Sequence, residues 1–162
     1  MLAMIPSVVR GIGRDDLERI KIIAREAYPE VPQLSTEILS QWMEGNDLAS
    51  LFVVDVRSPE EFAVSHLRGA LNLQTADQIA KAITGRVPTK TILYCSVGFR
   101  SSRLAHLVAQ RGVLKVFNLE GSIFQWANEG KEIYQGEKRV QQVHPYGRRW
   151  SGLLKPGLAS DY

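Results

Sequence analysis

The stretch ILYCSVGFRSS, residues 92–102, holds the only cysteine of the 162-residue chain, and its reading decides the fold. It opens as a strand, since Thr91, Ile92, Leu93 and Tyr94 form an apolar, β-favouring run. It cannot continue as one, because Ser96-Val97-Gly98-Phe99-Arg100-Ser101 is too polar and too dependent on its glycine. From Ser101 onward Leu104, Leu107, Val108 and Arg111 recur at helical spacing, and Gly112 supplies the stop. The chain therefore passes from strand to helix through a short loop that begins at Cys95.

Three further runs share the apolar character: LFVVDV (51–56), KVFNL (115–119) and the shorter GALNL (69–73). Near-continuous apolarity without alternation is the mark of parallel strands covered on both faces. Helical signals lie between them. Ser58-Pro59-Glu60-Glu61 combines an N-cap serine, a proline at the first helical position and a capping-box glutamate. Residues 76–83 form a short helix. Ser122 is placed to cap a helix through Asn128 that Gly130 ends, and Ser35 or Thr36 one through Met43, stopped by Gly45. Strands alternating with helices predict an α/β fold, a small parallel β-sheet with helices on both faces. Ligands of such sheets bind beyond the carboxyl ends of the strands. Asp55 and Cys95 each end a strand, so both are expected at that edge, with Cys95 at a mouth rather than in the core.

Length and a composition of 44% hydrophobic and 23% charged residues predict one globular domain with extensions. The divisions expected are a helical extension over 1–34, a central domain over 35–132 and a basic, aromatic tail over 133–162. The extension has one amphipathic helix, with Leu17, Ile20 and Ala24 on one face, and then the proline-punctuated connector YPEVPQ (28–33). In the tail, Tyr146, Arg148, Arg149 and Trp150 interleave aromatics with bases, a pattern able to stack on single-stranded nucleic acid. Docking of the tail on its own domain or on another subunit is the favoured reading, with Trp150, Leu153 and Leu154 available for burial, and nucleic acid is not expected as a partner.

A net charge of +3 gives only weak attraction to anions. One cysteine excludes a disulfide framework and a cysteine-rich zinc site, and three scattered histidines offer no ligand spacing, so neither metal nor cofactor is expected. A lone thiol suits a reducing compartment. The amino terminus lacks the basic and apolar regions of a signal peptide, and no run approaches the roughly 20 apolar residues of a membrane span. A cytoplasmic protein is expected; oligomeric state leaves no mark on the sequence.

A cysteine after a strand is commonly a small buried hydrophobe. The loop argues for more. Gly98 permits a backbone turn that other residues resist, and adjacent N–H groups turned inward form an anion-binding nest, reinforced by the helix that follows. Cysteines in such settings have pKa values lowered from about 8.5 to roughly 3.5–7.5, which makes Cys95 a candidate nucleophile.

CSVGFRS (95–101) resembles the active-site loop of the rhodanese family, commonly Cys-x-x-Gly-x-Arg-Ser. DVRSPEEFAVSHLRGALNL (55–73) is similar to the family's first signature through Asp55, Arg57, Glu61, Phe62, His66, Gly69, Ala70 and Asn72. VFNLEGSIFQWANEG (116–130) resembles its closing segment through Leu119, Gly121, Trp126 and Gly130. The likeness spans about residues 36–131. One departure stands out: the usual glycine pair is Gly121-Ser122 here.

The resemblance implies a rhodanese-like fold and a sulfurtransferase. Cys95 would take the outer sulfur of thiosulfate or a persulfide donor and pass it to a thiol, or to cyanide. Ser96, Val97, Gly98, Phe99 and Arg100 would form the loop that holds the persulfide, with Asp55 and Arg57 in support and Arg100 favouring an anionic donor. Partners implied are a small anionic sulfur donor and a thiol acceptor, protein thiols included. With no second cysteine in the sequence, the sulfur must leave to an external acceptor. Phosphatases and arsenate reductases of the same fold are the alternative; they resemble Cys-x5-Arg, one residue longer than the Cys95–Arg100 loop. A non-enzymatic sulfur-carrier or binding module is the third reading. His66 is assigned to packing or capping, and His106 and Arg103 to solvent.

Overall fold

The computed structural model describes residues 12–45, 48–86 and 90–161; residues 1–11, most of the stretch read as lacking a signal peptide, lie outside the described residues. Its strands are β1 (Gln33–Leu34), β2 (Leu51–Asp55), β3 (Leu71–Asn72), β4 (Lys90–Tyr94) and β5 (Val116–Leu119). All pair parallel, in the order β1-β5-β4-β2-β3. A separate antiparallel ribbon follows from β6 (Ile133–Gln135) and β7 (Lys138–Val140).

The helices are α1 (Asp15–Ala27), α2 (Thr36–Glu44), α3 (Pro59–Val64), α4 (Ala76–Ile83), α5 (Phe99–Gln110) and α6 (Ser122–Asn128). They cover both faces of the sheet, which is why its central strands need no polar alternation. On one face Val53 and Ile92 pack with Leu39 of α2 and with Ile123 and Phe124 of α6. On the other, Phe52, Val54 and Leu93 pack with Ile79 of α4 and with Leu104, Ala105 and Val108 of α5.

Local signals fix most of these elements. Ser58 accepts the Glu61 N–H at 3.3 Å while Glu61 accepts the Ser58 N–H at 3.0 Å, the reciprocal box that starts α3. Ser35 caps α2 by accepting the Ile38 N–H at 3.2 Å.

Four expectations change. The run GALNL contracts to the two residues of β3, an edge strand that pairs only with the end of β2. Helix α5 begins at Phe99, two residues ahead of Ser101, because its N-cap is Gly98 with φ +101° and no side chain is needed. Ser122 does not cap α6; Gly121 does, and Ser122 is the first helical residue with φ +50°. Strand β1, inside the segment expected as an extension, joins the sheet beside β5.

The flanking segments also share the core of the central domain. Leu17 and Ile20 of α1 and Ile133, Val143, Leu153 and Leu154 of the tail all belong to the cluster around Val53 and Ile92. Leu153 is fully buried, at the end of a 3-10 turn over Arg148–Leu153. Leu153→Ala should therefore cost about 2–5 kcal/mol, the range for a leucine cavity, measurable by urea unfolding. A loss under about 0.5 kcal/mol would mean that the tail is only loosely laid on the body.

Candidate active site

Strand β4 ends at Tyr94, and Cys95 is the first residue beyond its ladder. The side chain lies among Val56, Leu93, Leu104 and Ala105 and keeps no exposed surface. It also lines a cleft of about 820 Å³ together with its own loop and residues of α5, but the placement at a mouth rather than in the core is corrected: Cys95 is a fully buried member of the core cluster.

Burial alone would make the thiol inert, but its sulfur is supplied with donors. The Gly98 N–H points at Sγ from 3.2 Å, and the Ser101 hydroxyl lies 3.4 Å away with Asn118 Oδ1 as its other neighbour. Gly98 reaches this position only with φ +101°, and a Cβ there would stand 3.3 Å from Asn118 Nδ2, so glycine meets both constraints. Burial pushes the Cys95 thiol up, yet the Arg100 charge, the Ser101 hydroxyl and the N–H groups of Ser101 and Gly98 together outweigh it and lower its pKa.

Arg100 does not project freely over the thiol. Its Nη1 donates to Glu61 Oε2 at 3.0 Å and its Nη2 to Glu61 Oε1 at 2.8 Å, a bidentate pair, and Nη2 also reaches Ser96 Oγ at 3.0 Å. Ser96 Oγ in turn donates to Glu61 Oε1 at 3.1 Å. Burial opposes the Glu61 charge, but the Arg100 hydrogen bonds and charge, the Ser58 N–H and Arg57 hold its carboxyl down to about 2. The carboxylate that caps α3 is thus the one that anchors the loop arginine. Arg100 acts on Cys95 as a fixed neighbouring charge, already matched, rather than as an open anion receptor.

This geometry makes the thiol testable without any substrate. Alkylation by iodoacetamide should show a midpoint below that of a free cysteine. Arg100→Gln, which keeps a donor for Glu61 and removes the charge, should raise that midpoint by about one pH unit. An unmoved midpoint would remove Arg100 from the activation of Cys95.

Asp55 and Arg57 lie beneath the site and do not touch the sulfur. Both side chains are fully buried and paired, with Arg57 Nη2 at 2.6 Å and Nε at 3.1 Å from Asp55 Oδ2. Arg57 Nη2 also donates to the Ser65 carbonyl at 2.6 Å, and its guanidinium stands 5.9 Å from the Tyr94 ring centre. The main chain of Asp55 and Arg57 is held from the other side, their carbonyls accepting from Asn72 Nδ2 at 3.1 and 2.9 Å. This network sets the turn between β2 and α3, from which Val56 lines the cleft.

The remaining loop residues divide. Val97 is buried in the opposite core, while Phe99 meets the Tyr28 ring edge-on at 6.0 Å and lines the cleft. His66 accepts the Gly136 N–H at Nε2 (3.2 Å), contacts the Leu67 carbonyl through Nδ1 (3.0 Å) and stacks on Phe62, a packing role. His106 pairs with Glu30 instead of standing free in solvent. Arg103 is exposed and lines the cleft.

Several residues of the site escape sequence reading. Tyr146 and Trp150 of the tail form one wall of the cleft, and the Tyr146 ring lies 4.6 Å from the Arg100 guanidinium. Ser101 and Asn118 meet only because β4 and β5 are neighbours. No local pattern announces such contacts; alternating aromatic and basic residues in the tail were the one available hint. Among the described residues no group of histidine, cysteine, aspartate and glutamate is arranged to hold a metal ion, and no helix is long and apolar enough to cross a membrane.

The Rhodanese-like domain family matches residues 35–129, which takes in β2 to α6 and the whole Cys95 loop. The chain belongs to this family. Similar proteins include a sulfurtransferase of Allochromatium vinosum, 30% identical over 109 residues, 66% of this chain and 98% of the relative. The uncharacterized protein YqhL of Bacillus subtilis is 30% identical over 79 residues, 49% of this chain and 63% of its own. A tRNA uridine(34) hydroxylase of Prochlorococcus marinus is 24% identical over 111 residues, and only 35% of its length is covered. Among solved structures, a thiosulfate sulfurtransferase from Pseudomonas aeruginosa superposes with a TM-score of 0.61 at 16% identity, over 78% of this chain and 24% of that one. A Rhodopseudomonas palustris protein described as a possible tyrosine phosphatase gives 0.58 at 19% identity, over 81% of this chain and 99% of that one. At these identities the structural likenesses establish the rhodanese-like fold. The match to the sulfurtransferase covers nearly the whole length of that relative and two thirds of this chain.

Proposed function

We propose that this rhodanese-like chain is a sulfurtransferase in which Cys95 carries the sulfur. The observation that supports it best is a cysteine lining a cleft with the Gly98 N–H 3.2 Å and the Ser101 hydroxyl 3.4 Å from its sulfur, its pKa lowered first by the Arg100 charge and then by these donors. The Cys95 thiolate attacks the outer sulfur of a donor such as thiosulfate. A new S–S bond forms, the old one breaks, and its electron pair leaves with sulfite. The persulfide that remains ends in an anionic sulfur, which the Gly98 and Ser101 amides and the fixed Arg100 charge stabilise as they stabilise the thiolate. An acceptor thiolate, on a small molecule or a protein, then attacks that outer sulfur and Cys95 leaves as thiolate, completing a ping-pong cycle.

Phosphoryl or arsenate chemistry fits less well. A tetrahedral oxyanion needs an open ring of donors, and here three of the five Arg100 N–H groups are already given to Glu61 and Ser96. Two assays on one preparation separate the readings. Incubation with thiosulfate should add one sulfur atom to the intact mass and release sulfite, while an aryl phosphate should be left untouched. Hydrolysis of the phosphate with no sulfur uptake would overturn the proposal.

A further inference from the structure

Ser122 stands where the family commonly has the second residue of a glycine pair, and its backbone still has the conformation that glycine prefers, with φ +50°. A side chain is retained at this position despite that strain, and it is wholly buried. Its hydroxyl is used twice. Oγ accepts the Cys95 N–H at 3.1 Å and donates to the Leu119 carbonyl at 2.9 Å.

Both of those partners lie where the sheet runs out. Pairing of β4 with β5 stops at Leu93 and Asn118, and pairing of β2 with β4 stops at Asp55 and Tyr94. The Cys95 N–H is the first group past the ladder, and the Ser122 hydroxyl supplies the missing rung between the ends of β4 and β5. The next two residues complete the hold, since the Ile123 N–H donates to the Cys95 carbonyl at 3.2 Å and the Phe124 N–H to the Ser96 carbonyl at 3.0 Å. The peptide groups on both sides of the Cys95 Cα are therefore fixed from residues 122–124. The Cys95 and Ser96 carbonyls face α6, while the Gly98 N–H faces the sulfur.

We infer that Ser122 is a positioning residue for the reactive sulfur, its hydroxyl fixing the Cys95 main chain so that Sγ meets the Gly98 and Ser101 donors. The inference rests on the proposal that Cys95 is the sulfur-carrying nucleophile, but its first readout does not need that reaction. Ser122→Gly suits the backbone, removes the hydroxyl and leaves the Cys95 N–H without its acceptor. With the rung gone, the donors no longer converge on Sγ and the thiolate loses part of its stabilisation.

The test is iodoacetamide alkylation across pH for the parent chain, Ser122→Gly and Ser122→Thr, with thermal unfolding alongside. The glycine variant should fold, with its alkylation midpoint displaced to higher pH. Where the parent transfers sulfur, the variant should do so with kcat lowered about ten-fold and KM nearly unchanged, as for a misplaced nucleophile. Ser122→Thr, which keeps the hydroxyl at greater backbone strain, should melt lower yet keep the parental alkylation midpoint. An unchanged midpoint in the glycine variant overturns the inference, as does a glycine variant that cannot fold, since the residue would then be purely structural. Failure of the parent to take up sulfur would instead strike the proposed function and leave the alkylation result standing.

Discussion

Cys95→Ser is expected to fold like the parent and to lose sulfur transfer by at least about a thousand-fold, because nothing else in the chain can form the covalent intermediate. The cysteine is the only one of the sequence, so no neighbouring thiol can substitute. Serine is close in size, and its oxygen can accept the Gly98 N–H that now points at Sγ from 3.2 Å. Stability should stay within about 2 kcal/mol, since a hydroxyl replaces a thiol in a largely apolar pocket with donors at hand. Intact mass after thiosulfate treatment should show no added sulfur, while circular dichroism and the unfolding midpoint report that the loop's scaffold is intact. Retention of more than about a tenth of the parental rate would show that the sulfur is not carried on residue 95. Neutral alkylation of Cys95 in the parent chain should mimic the substitution. An unimpaired partner-binding activity after alkylation would favour a binding module over an enzyme.

The loop was legible because its chemistry is written within six residues. Strand, cysteine, glycine and arginine follow one another, and their spacing limits what the backbone between them can do. The capping box at Ser58 and the buried face of α1 were legible for the same reason, since each depends on residues three or four apart. The rest of the site depends on separations that no window contains. Glu61 reads as a helix cap from its neighbours, and only the packing of α3 against the loop brings it to Arg100, 39 residues later. Tyr146 comes to the same guanidinium through a tail anchored by Leu153 and Leu154. Ser122 misled in a more specific way. Serine before a helix predicts a cap, but here glycine at 121 takes that role and frees the hydroxyl for Cys95. The depth of Cys95 was missed because a position just beyond a strand end says nothing of what covers it.

The largest stability effect is expected beneath the site, at Asp55 and Arg57. Each side chain is fully buried, and each is compensated chiefly by the other. Arg57→Met would leave the fully buried Asp55 carboxylate without its cation, and Asp55→Leu would strand the guanidinium in the same way. Either change should cost about 3–5 kcal/mol, against a total stability of about 5–15 kcal/mol for a domain of this size. Both single variants should also blunt sulfur transfer, because Val56 and the turn into α3 are held by this pair and border the cleft. The double variant decides whether charge compensation is the cause. With both charges gone, the carbonyls of Asp55 and Arg57 still accept from Asn72, and the Tyr94 hydroxyl still accepts the Leu67 N–H at 3.0 Å. Asp55→Leu with Arg57→Met should then be more stable than the sum of the single losses predicts, by at least about 2 kcal/mol in a urea-unfolding cycle. Additive losses would mean that the pair acts through shape and backbone hydrogen bonds, with its charges contributing little to holding the floor of the site.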